Sequence, residues 1–173
     1  IALSGEELGL FGSKYFAEYP SVPISTIWFM LNLDMVGRLN EEKEVSLSGT
    51  GTATQWEDVL NEVNKARLKM KFSASGIGPS DHTSFYLQDI PVIHFFTGGH
   101  AEYHKPADDS HLINYAGIEL IADWITDLVI DLEGEELSFQ KTKDEKKSSP
   151  KFKVTLGVMP NYAYGGDGMK IDA

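Results

Sequence analysis

Hydrophobic and polar positions along residues 1–132 follow patterns that predict strands alternating with helices. Residues 1–4 predict a short buried strand. Within residues 24–35, a near-continuous apolar run at 27–31 predicts a central strand buried on both faces. Residues 90–97 predict another buried strand. Strands that alternate with helices indicate an α/β fold, a three-layer sandwich with a mostly parallel central sheet that is incomplete at its N-terminus.

Three segments have apolar residues at helical spacing. Residues 6–16 predict a helix with acidic residues in its first turn, where the helix dipole favours them. Thr54 is a candidate N-cap for a second helix, and residues 115–132 predict a long amphipathic third helix. The apolar positions are Leu8, Phe11 and Tyr15 in the first helix, Trp56, Val59, Leu60, Val63 and Met70 in the second, and Ile118, Ile121, Ala122, Ile125, Leu128, Val129 and Leu132 in the third.

The character of the chain changes after residue 133. Residues 134–151 are charged and polar without apolar periodicity, which predicts a linker. Residues 152–173 alternate like a strand, a turn and a second strand, but so short a segment cannot bury a core alone. We therefore predict a domain at 1–133, a linker at 134–151 and the start of a second domain at 152–173.

Composition and charge exclude several classes of partner. The chain has 173 residues with a net charge of -11 and a pI near 4.8, so nucleic acid and anionic membranes would be repelled. No apolar run has the roughly 20 residues that a membrane-spanning helix needs. The chain opens at Ile1, without Met and inside a predicted strand, so we expect a fragment of a longer protein.

Cysteine is absent, so any metal must be held by His, Asp or Glu. Polar residues follow three predicted strands, at residues 5–7, 32–38 and 97–109. Open α/β sheets place their active sites at the C-terminal ends of their strands. We therefore expect one pocket, rich in oxygen ligands and containing histidine, to collect all three segments.

Glu6 and Glu7 are adjacent, and at a helix start their side chains would diverge by about 100°. One carboxylate could then bind a metal while the other faces a metal-bound water. A zinc hydrolase needs this division, because a free carboxylate must take the water proton and return it to the leaving amine. The alternative is a solvated acidic pair at a helix N-terminus.

Asp34 and His104 are the other candidates for metal ligands. Asp34 follows a buried apolar run, so its charge needs compensation by a metal or an arginine. The alternatives for Asp34 are pairing with Arg38 or capping of a turn. His104 lies in a loop between a strand and a helix, and its alternative is an ordinary surface position.

Four segments carry a family resemblance: SGEELGLFGS at 4–13, NLDMVGR at 32–38, SDHTSF at 80–85 and YHKPAD at 103–108. Together, and in this order, they resemble the zinc aminopeptidase family that also includes glutamate carboxypeptidase, glutaminyl cyclase and the transferrin receptor. The resemblance covers residues 1–132 and implies a zinc exopeptidase-like fold. Any one segment would be weak evidence, whereas four in the family's order are specific.

The resemblance implies roles for five residues. Glu6 matches the general base, and Glu7 and His104 match ligands of one zinc. Asp34 matches a ligand of the other zinc, and Tyr103 resembles a phenol that hydrogen-bonds the tetrahedral oxyanion. No role follows for Asp81, His82, His100 or His111, and the last two are expected to be loop or surface residues.

The chain also departs from the family pattern. The family supplies a further histidine and a bridging aspartate before the two glutamates, and neither is present here. An intact site holds two zinc ions, and each would lack at least one ligand from this chain. Since catalytic zinc normally has three protein ligands, the fragment is expected to bind zinc weakly and to be inactive alone.

The resemblance implies a bacterial aminopeptidase that removes N-terminal residues from peptides and acts in the periplasm or at the cell surface. The alternatives are a glutaminyl cyclase-like acyltransferase and a receptor-like binding domain. Retention of the four residues Glu6, Glu7, Asp34 and His104 argues against the receptor. Residues 152–173 resemble the start of a PDZ-like domain, and the truncated sheet could self-associate through its edge.

Overall fold

A computed structural model describes residues 1–143 of the 173-residue chain. The strands are β1 (Met30–Asp34), β2 (Glu44–Ser48), β3 (Lys69–Ser73) and β4 (Val92–Phe96). The helices are α1 (Phe11–Glu18), α2 (Trp56–Asn64), α3 (His82–Tyr86) and α4 (Tyr115–Asp131). Short 3₁₀ helices lie at Ile24–Thr26, Val36–Arg38, Thr50–Thr52 and Ser110–Leu112.

The four strands form one sheet in the order β1, β4, β2, β3. β1 is parallel to β4 and β2 is parallel to β3, whereas β2 is antiparallel to β4. Asp34, the last residue of β1, lies opposite Phe96, the last residue of β4. The predicted α/β fold with a mostly parallel sheet is therefore confirmed.

The larger core lies between the sheet and the two helices α2 and α4. Phe95 of β4 and Trp124 of α4 are both fully buried, and their rings meet edge to face at 5.5 Å. Burying an aromatic side chain of this size contributes roughly 2–3 kcal/mol from area alone. The other fully buried large side chains of this core are Leu47, Trp56, Leu60, Ile93, Ile121, Leu128 and Leu132.

A smaller core brings α3 and α1 together with other positions of the same strands. Val92 packs with Phe85 and Tyr86 of α3, and Phe16 of α1 packs against this cluster. Since Val92 and its neighbour Ile93 enter different cores, successive residues of β4 serve opposite faces of the sheet. The three-layer arrangement itself stays a prediction.

Two predicted elements near the start of the chain are wrong. Residues 1–4 form no strand, because no strand of the described residues pairs with them. The first helix begins at Phe11, not Glu6, since Gly9 and Leu10 have φ angles of 113° and 62°, which a right-handed helix does not allow. Its predicted apolar face is exposed: Leu8, Phe11 and Tyr15 keep 73%, 61% and 66% of their surface.

Among the strands and helices predicted after residue 20, some are confirmed and others are wrong. The strand at 90–97 and the helix at 115–132 are confirmed by β4 and α4. The strand predicted within 24–35 is shorter and lies at one end of the sheet, so Leu33 is 48% exposed rather than buried. Met70 belongs to β3 rather than to α2.

The described part of the chain after α4 returns to the domain. Leu137 is buried in the larger core, and Phe139 forms an isolated antiparallel bridge with Ala53. The start of the predicted linker therefore contacts the domain, and the PDZ-like prediction for 152–173 lies outside the described residues. Within residues 1–143, no helix has the length and apolarity needed to cross a membrane.

Candidate active site

The candidate site lies where β1 and β4 end. These strands are parallel neighbours, so the segments that follow them leave the same edge of the sheet. Ligand sites of open α/β sheets form at such an edge. β1 ends in Asp34, and the loop after β4 carries Tyr103 and His104.

Glu6 and Glu7 reach the site on a tight turn rather than on a helix. The amide groups of Gly9 and Leu10 both donate to the carbonyl oxygen of Glu6, at 2.9 Å each. The turn is closed where the amide of Gly12 donates to the carbonyl of Ser4 at 2.7 Å. A Cβ on Gly12 would lie 2.4 Å from that oxygen, so only glycine permits this approach.

Glu7 and His104 are brought together although 97 positions separate them in sequence. The Oε1 atom of Glu7 lies 2.8 Å from Nε2 of His104. The backbone of His104 has a φ of 57°, an uncommon left-handed conformation for a residue with a side chain. The ring of Tyr103 stacks on that of His104 with 3.8 Å between centroids.

Glu6 lies among other ionisable groups of the site. Burial raises the pKa of the Glu6 carboxyl above its ordinary value, and the carboxylates of Asp34, Glu7 and Asp81 raise that pKa further. His104 acts in the opposite direction. The five side chains therefore share one electrostatic environment, in which protonation of Glu6 relieves repulsion between carboxylates.

Asp34 is held by neutral side chains. The hydroxyl of Ser80 donates to Oδ2 of Asp34 at 2.9 Å, and the amide of Asn32 donates to the Ser80 hydroxyl at 2.8 Å. His94 of β4 places Nε2 3.8 Å from the same carboxylate oxygen. The alternative of an Asp34 pair with Arg38 is wrong, because Arg38 pairs with Glu102 and Asp108.

A buried pair of histidines lies next to Asp34. The rings of His82 and His94 are stacked, with 4.5 Å between centroids. The pKa of His82 is lowered to about 3, mainly by burial and to a smaller extent by the nearby ring of His94. Burial also lowers the pKa of His94, against the opposing effect of Asp34. Both nitrogens of His82, Nε2 of His94 and Oδ1 of Asp81 are buried without a hydrogen-bond partner in the described residues.

Sequence reasoning missed three polar residues around Asp34. Asn32 and Ser80 stand in segments that carried the resemblance, but they had no role. In the sequence, His94 stands within an apolar run that predicts only a buried strand. The sequence signal for His94 is its position as the one histidine within the otherwise apolar run at 90–96. A buried polar side chain is costly without a polar partner, so such a histidine indicates a polar contact.

The two remaining histidines differ from each other. His111 is exposed in the 3₁₀ helix at Ser110–Leu112, as expected. His100 lies in a loop, but only 14% of its side chain is exposed, so it is not a surface residue. It contacts Arg38, Glu102 and Asp108.

The donor chemistry fits zinc in part. Glu7 and His104 offer a carboxylate oxygen and an imidazole nitrogen at one point, and both are common zinc ligands. Within residues 1–143, however, no three His, Asp or Glu side chains converge so that they could hold a metal ion. This part of the chain therefore contributes a pair of donors and a separate carboxylate, Asp34.

The chain was compared with curated proteins, solved structures and protein-family models. No curated protein matches it. Among solved structures, it is similar to an aminopeptidase from Aneurinibacillus sp. strain AM-1, with 26% identity, a TM-score of 0.60, and coverage of 82% of this chain and 35% of that one. It is also similar to BSAP, a zinc aminopeptidase from Bacillus subtilis, with 25% identity, a TM-score of 0.61, and coverage of 82% and 36%.

The fold is shared with a third protein, the aminopeptidase LapA of Legionella pneumophila. Identity is 22%, the TM-score is 0.60, and the match covers 75% of this chain and 37% of LapA. The chain thus spans little more than a third of the length of each of these structures. The family model described as Peptidase family M28 matches residues 1–129. That match covers most of the sequence, and the chain belongs to peptidase family M28.

Proposed function

We propose that this chain supplies the general base, an oxyanion donor and part of the zinc-binding side chains of an aminopeptidase that removes N-terminal residues from peptides. One observation carries the proposal: Glu7 and His104 meet at 2.8 Å in the electrostatic environment of Glu6. Membership of family M28 supports it, as does the likeness to aminopeptidases at 25–26% identity.

The environment of Glu6 favours uptake of a proton. Burial and three neighbouring carboxylates raise its pKa, which brings its proton affinity closer to that required at neutral pH. In peptide hydrolysis this carboxylate would take a proton from the attacking water and return it to the leaving amine. The surrounding negative charge would favour the protonated N-terminus of a peptide.

Glu7 and His104 would hold one zinc, and Asp34 would contribute to the second. Zinc bound there would polarise the scissile carbonyl and lower the pKa of water. The phenol of Tyr103 would donate to the oxyanion that forms when the carbonyl is attacked. Stacking between Tyr103 and His104 fixes the phenol beside the donor pair.

The test is hydrolysis of aminoacyl-4-nitroanilides by the whole protein that carries this chain. Glu6→Gln keeps the size of the side chain but removes the base, so kcat should fall by about 10²–10⁴ with zinc retained. Glu7→Gln should lower the zinc content as well. Wild-type turnover by Glu6→Gln would refute the proposal, and cyclisation of N-terminal glutamine by a protein with one zinc would favour the cyclase-like alternative.

The 173-residue chain alone is expected to bind zinc weakly and to hydrolyse no peptide, since within residues 1–143 no three His, Asp or Glu side chains converge to hold a metal ion. Titration with zinc in a calorimeter measures this directly. Tight binding of zinc by the chain, with loss in His104→Ala, would show that two donors suffice.

We also propose that the chain self-associates through the exposed edge of its sheet and the exposed apolar surface around α1. Phe11 and Tyr15 are exposed on one face of α1, and β1 lies at one end of the sheet. Sedimentation velocity should show association that Phe11→Glu weakens, and a monomer at all concentrations would contradict it. Residence in the periplasm or at the cell surface is a further proposal, which cell fractionation tests.

A further inference from the structure

Residues 97–109 form the site loop, which carries the tyrosine and histidine of the candidate site. Arg38 contacts both this loop and the segment that follows it. It lies in the 3₁₀ helix directly after β1. Its Nη1 atom donates to the carbonyl oxygen of Leu112 at 2.8 Å, just beyond the loop. Its Nη2 atom donates to the carboxylate of Glu102 within the loop. One side chain therefore ties the loop and its exit to the end of β1.

His100 and Asp108 complete a charged cluster around this guanidinium. Nδ1 of His100 lies 3.3 Å from Nη2 of Arg38, and Oδ1 of Asp108 lies 3.8 Å from the same nitrogen. Since a guanidinium can only donate, this contact is a hydrogen bond in the tautomer whose Nδ1 accepts and whose ring proton is on Nε2. That Nε2 faces Oδ2 of Asp108 at 3.5 Å. The side chains of Arg38 and His100 are only 16% and 14% exposed.

The site loop needs such a constraint because its central residue is strained. His104 has a φ of 57°, and a residue with a side chain keeps this conformation only where its surroundings enforce it. The ring of Tyr103 stacks on His104, and the ring of His100 meets Tyr103 edge to face at 6.2 Å. Contacts thus run from Arg38 through His100 to the two site residues.

We propose that Arg38 is a positioning residue, which fixes Tyr103 and His104 in the arrangement that peptide hydrolysis requires. The proposal rests on the proposed aminopeptidase function for its catalytic consequence. The arrangement of the loop itself does not depend on that function.

Removal of the guanidinium charge should release the site loop. Glu102 and Asp108 are about one-third exposed, at 33% and 37%, and both lie close to Arg38 and His100. Without the arginine these two partly buried carboxylates would lose the guanidinium that pairs with both. Their repulsion would favour a loop conformation in which both reach water.

The first experiment uses NMR on the 173-residue chain and needs neither zinc nor activity. Arg38→Gln should abolish the nuclear Overhauser effect between the rings of Tyr103 and His104. Exchange of the Lys105 and Asp108 amides, which close turns within the loop, should become at least about tenfold faster, with α4 unchanged. The matched control is Arg67→Gln, which removes an arginine–carboxylate pair with Asp127 and should leave the site loop unchanged.

Two further variants keep the test decisive. Glu102→Gln removes one carboxylate partner of Arg38 and retains the size of the side chain, so hydrogen exchange of the same two amides should become faster. This variant replaces Arg38→Gln if Arg38→Gln does not fold. Arg38→Lys should restore the loop only in part, because an ammonium cannot make both contacts of the guanidinium fork. An unchanged ring contact and unchanged exchange in Arg38→Gln and Glu102→Gln would overturn the proposal.

The catalytic consequence is measured on the whole enzyme with saturating zinc. Arg38→Gln should lower kcat by about tenfold or more with little change in KM, because the loop acts on reacting groups and not on substrate binding. An unchanged kcat with a released loop would overturn the positioning role. Loop release in an enzyme whose wild type is inactive would instead overturn the proposed function and leave the structural part standing.

Discussion

Acidification should destabilise this fold because two histidines are buried as neutral rings. His82 is fully buried, and its pKa is lowered from an ordinary 6.5 to about 3. Between these values the unfolded chain binds a proton at this position and the folded chain does not. The unfolded state is therefore favoured as the pH falls through the window, so stability is full above 6.5 and is lost below it.

The size of the effect follows from the width of the window. Each pH unit over which the unfolded state holds one extra proton costs about 1.4 kcal/mol. From pH 6.5 to pH 5, His82 alone should therefore cost roughly 2 kcal/mol, a large part of a typical domain stability of about 5–15 kcal/mol. The lowered pKa of His94 acts in the same direction. The raised pKa of Glu6 acts in the opposite direction, because its folded state binds the proton more readily.

The assay is urea unfolding at pH 7 and pH 5, followed by the fluorescence of the buried Trp56 and Trp124. His82→Gln removes the titrating ring, so the difference in stability between the two pH values should shrink by roughly 2 kcal/mol. His111→Gln is the control, because that histidine is exposed. An equal pH difference in wild type and His82→Gln would refute the burial of a neutral ring.

Two further predictions concern stability at fixed pH. Ser80→Ala removes a buried hydroxyl that bonds two side chains, one of them a carboxylate, and should cost about 2–4 kcal/mol in urea unfolding; Ser84→Ala, which loses one neutral bond, should cost about 1 kcal/mol. Gly49→Ala places a Cβ 2.3 Å from the Val92 carbonyl oxygen at a φ of 94° and should cost about 2–5 kcal/mol. Gly98→Ala has a φ of 100° in open space and should cost only about 1–2 kcal/mol, and equal losses at both glycines would contradict the clash.

Elements with a strong local pattern could be predicted from the sequence. The strand β4 lies in a largely apolar run, and α4 repeats apolar residues over 17 positions. Each can therefore be predicted without knowing which elements pack against it. The strands β2 and β3 alternate apolar and polar residues, but each has only five residues, too short a pattern to identify either strand from the sequence alone. Lys69 and Lys71 of β3 reach Glu44 of β2 on the polar side, a contact that only the assembled sheet reveals.

Backbone conformation explains two errors in helix boundaries. The second helix ends at Asn64 because Lys65 and Ala66 have φ angles of 46° and 60°, and neither residue type signals a left-handed turn. The helix predicted from Glu6 starts late because Leu10 adopts φ 62°. Residues with side chains seldom adopt such angles, so local propensity could not have located either boundary.

The candidate site residues are predicted from the family resemblance, whereas the hydrogen bonds that hold Asp34 are visible only in the structure. The sequence predicts that the charge of Asp34 needs compensation, since a carboxylate at the end of a buried strand is costly when it has no partner. In the described residues, the hydroxyl of Ser80 donates a hydrogen bond to Asp34, and the amide of Asn32 donates to that hydroxyl. Asp34 in turn raises the pKa of Glu6. The segment at 80–85, for whose residues the family resemblance implies no role, thus influences the proposed base through the Ser80 hydroxyl and the Asp34 carboxylate.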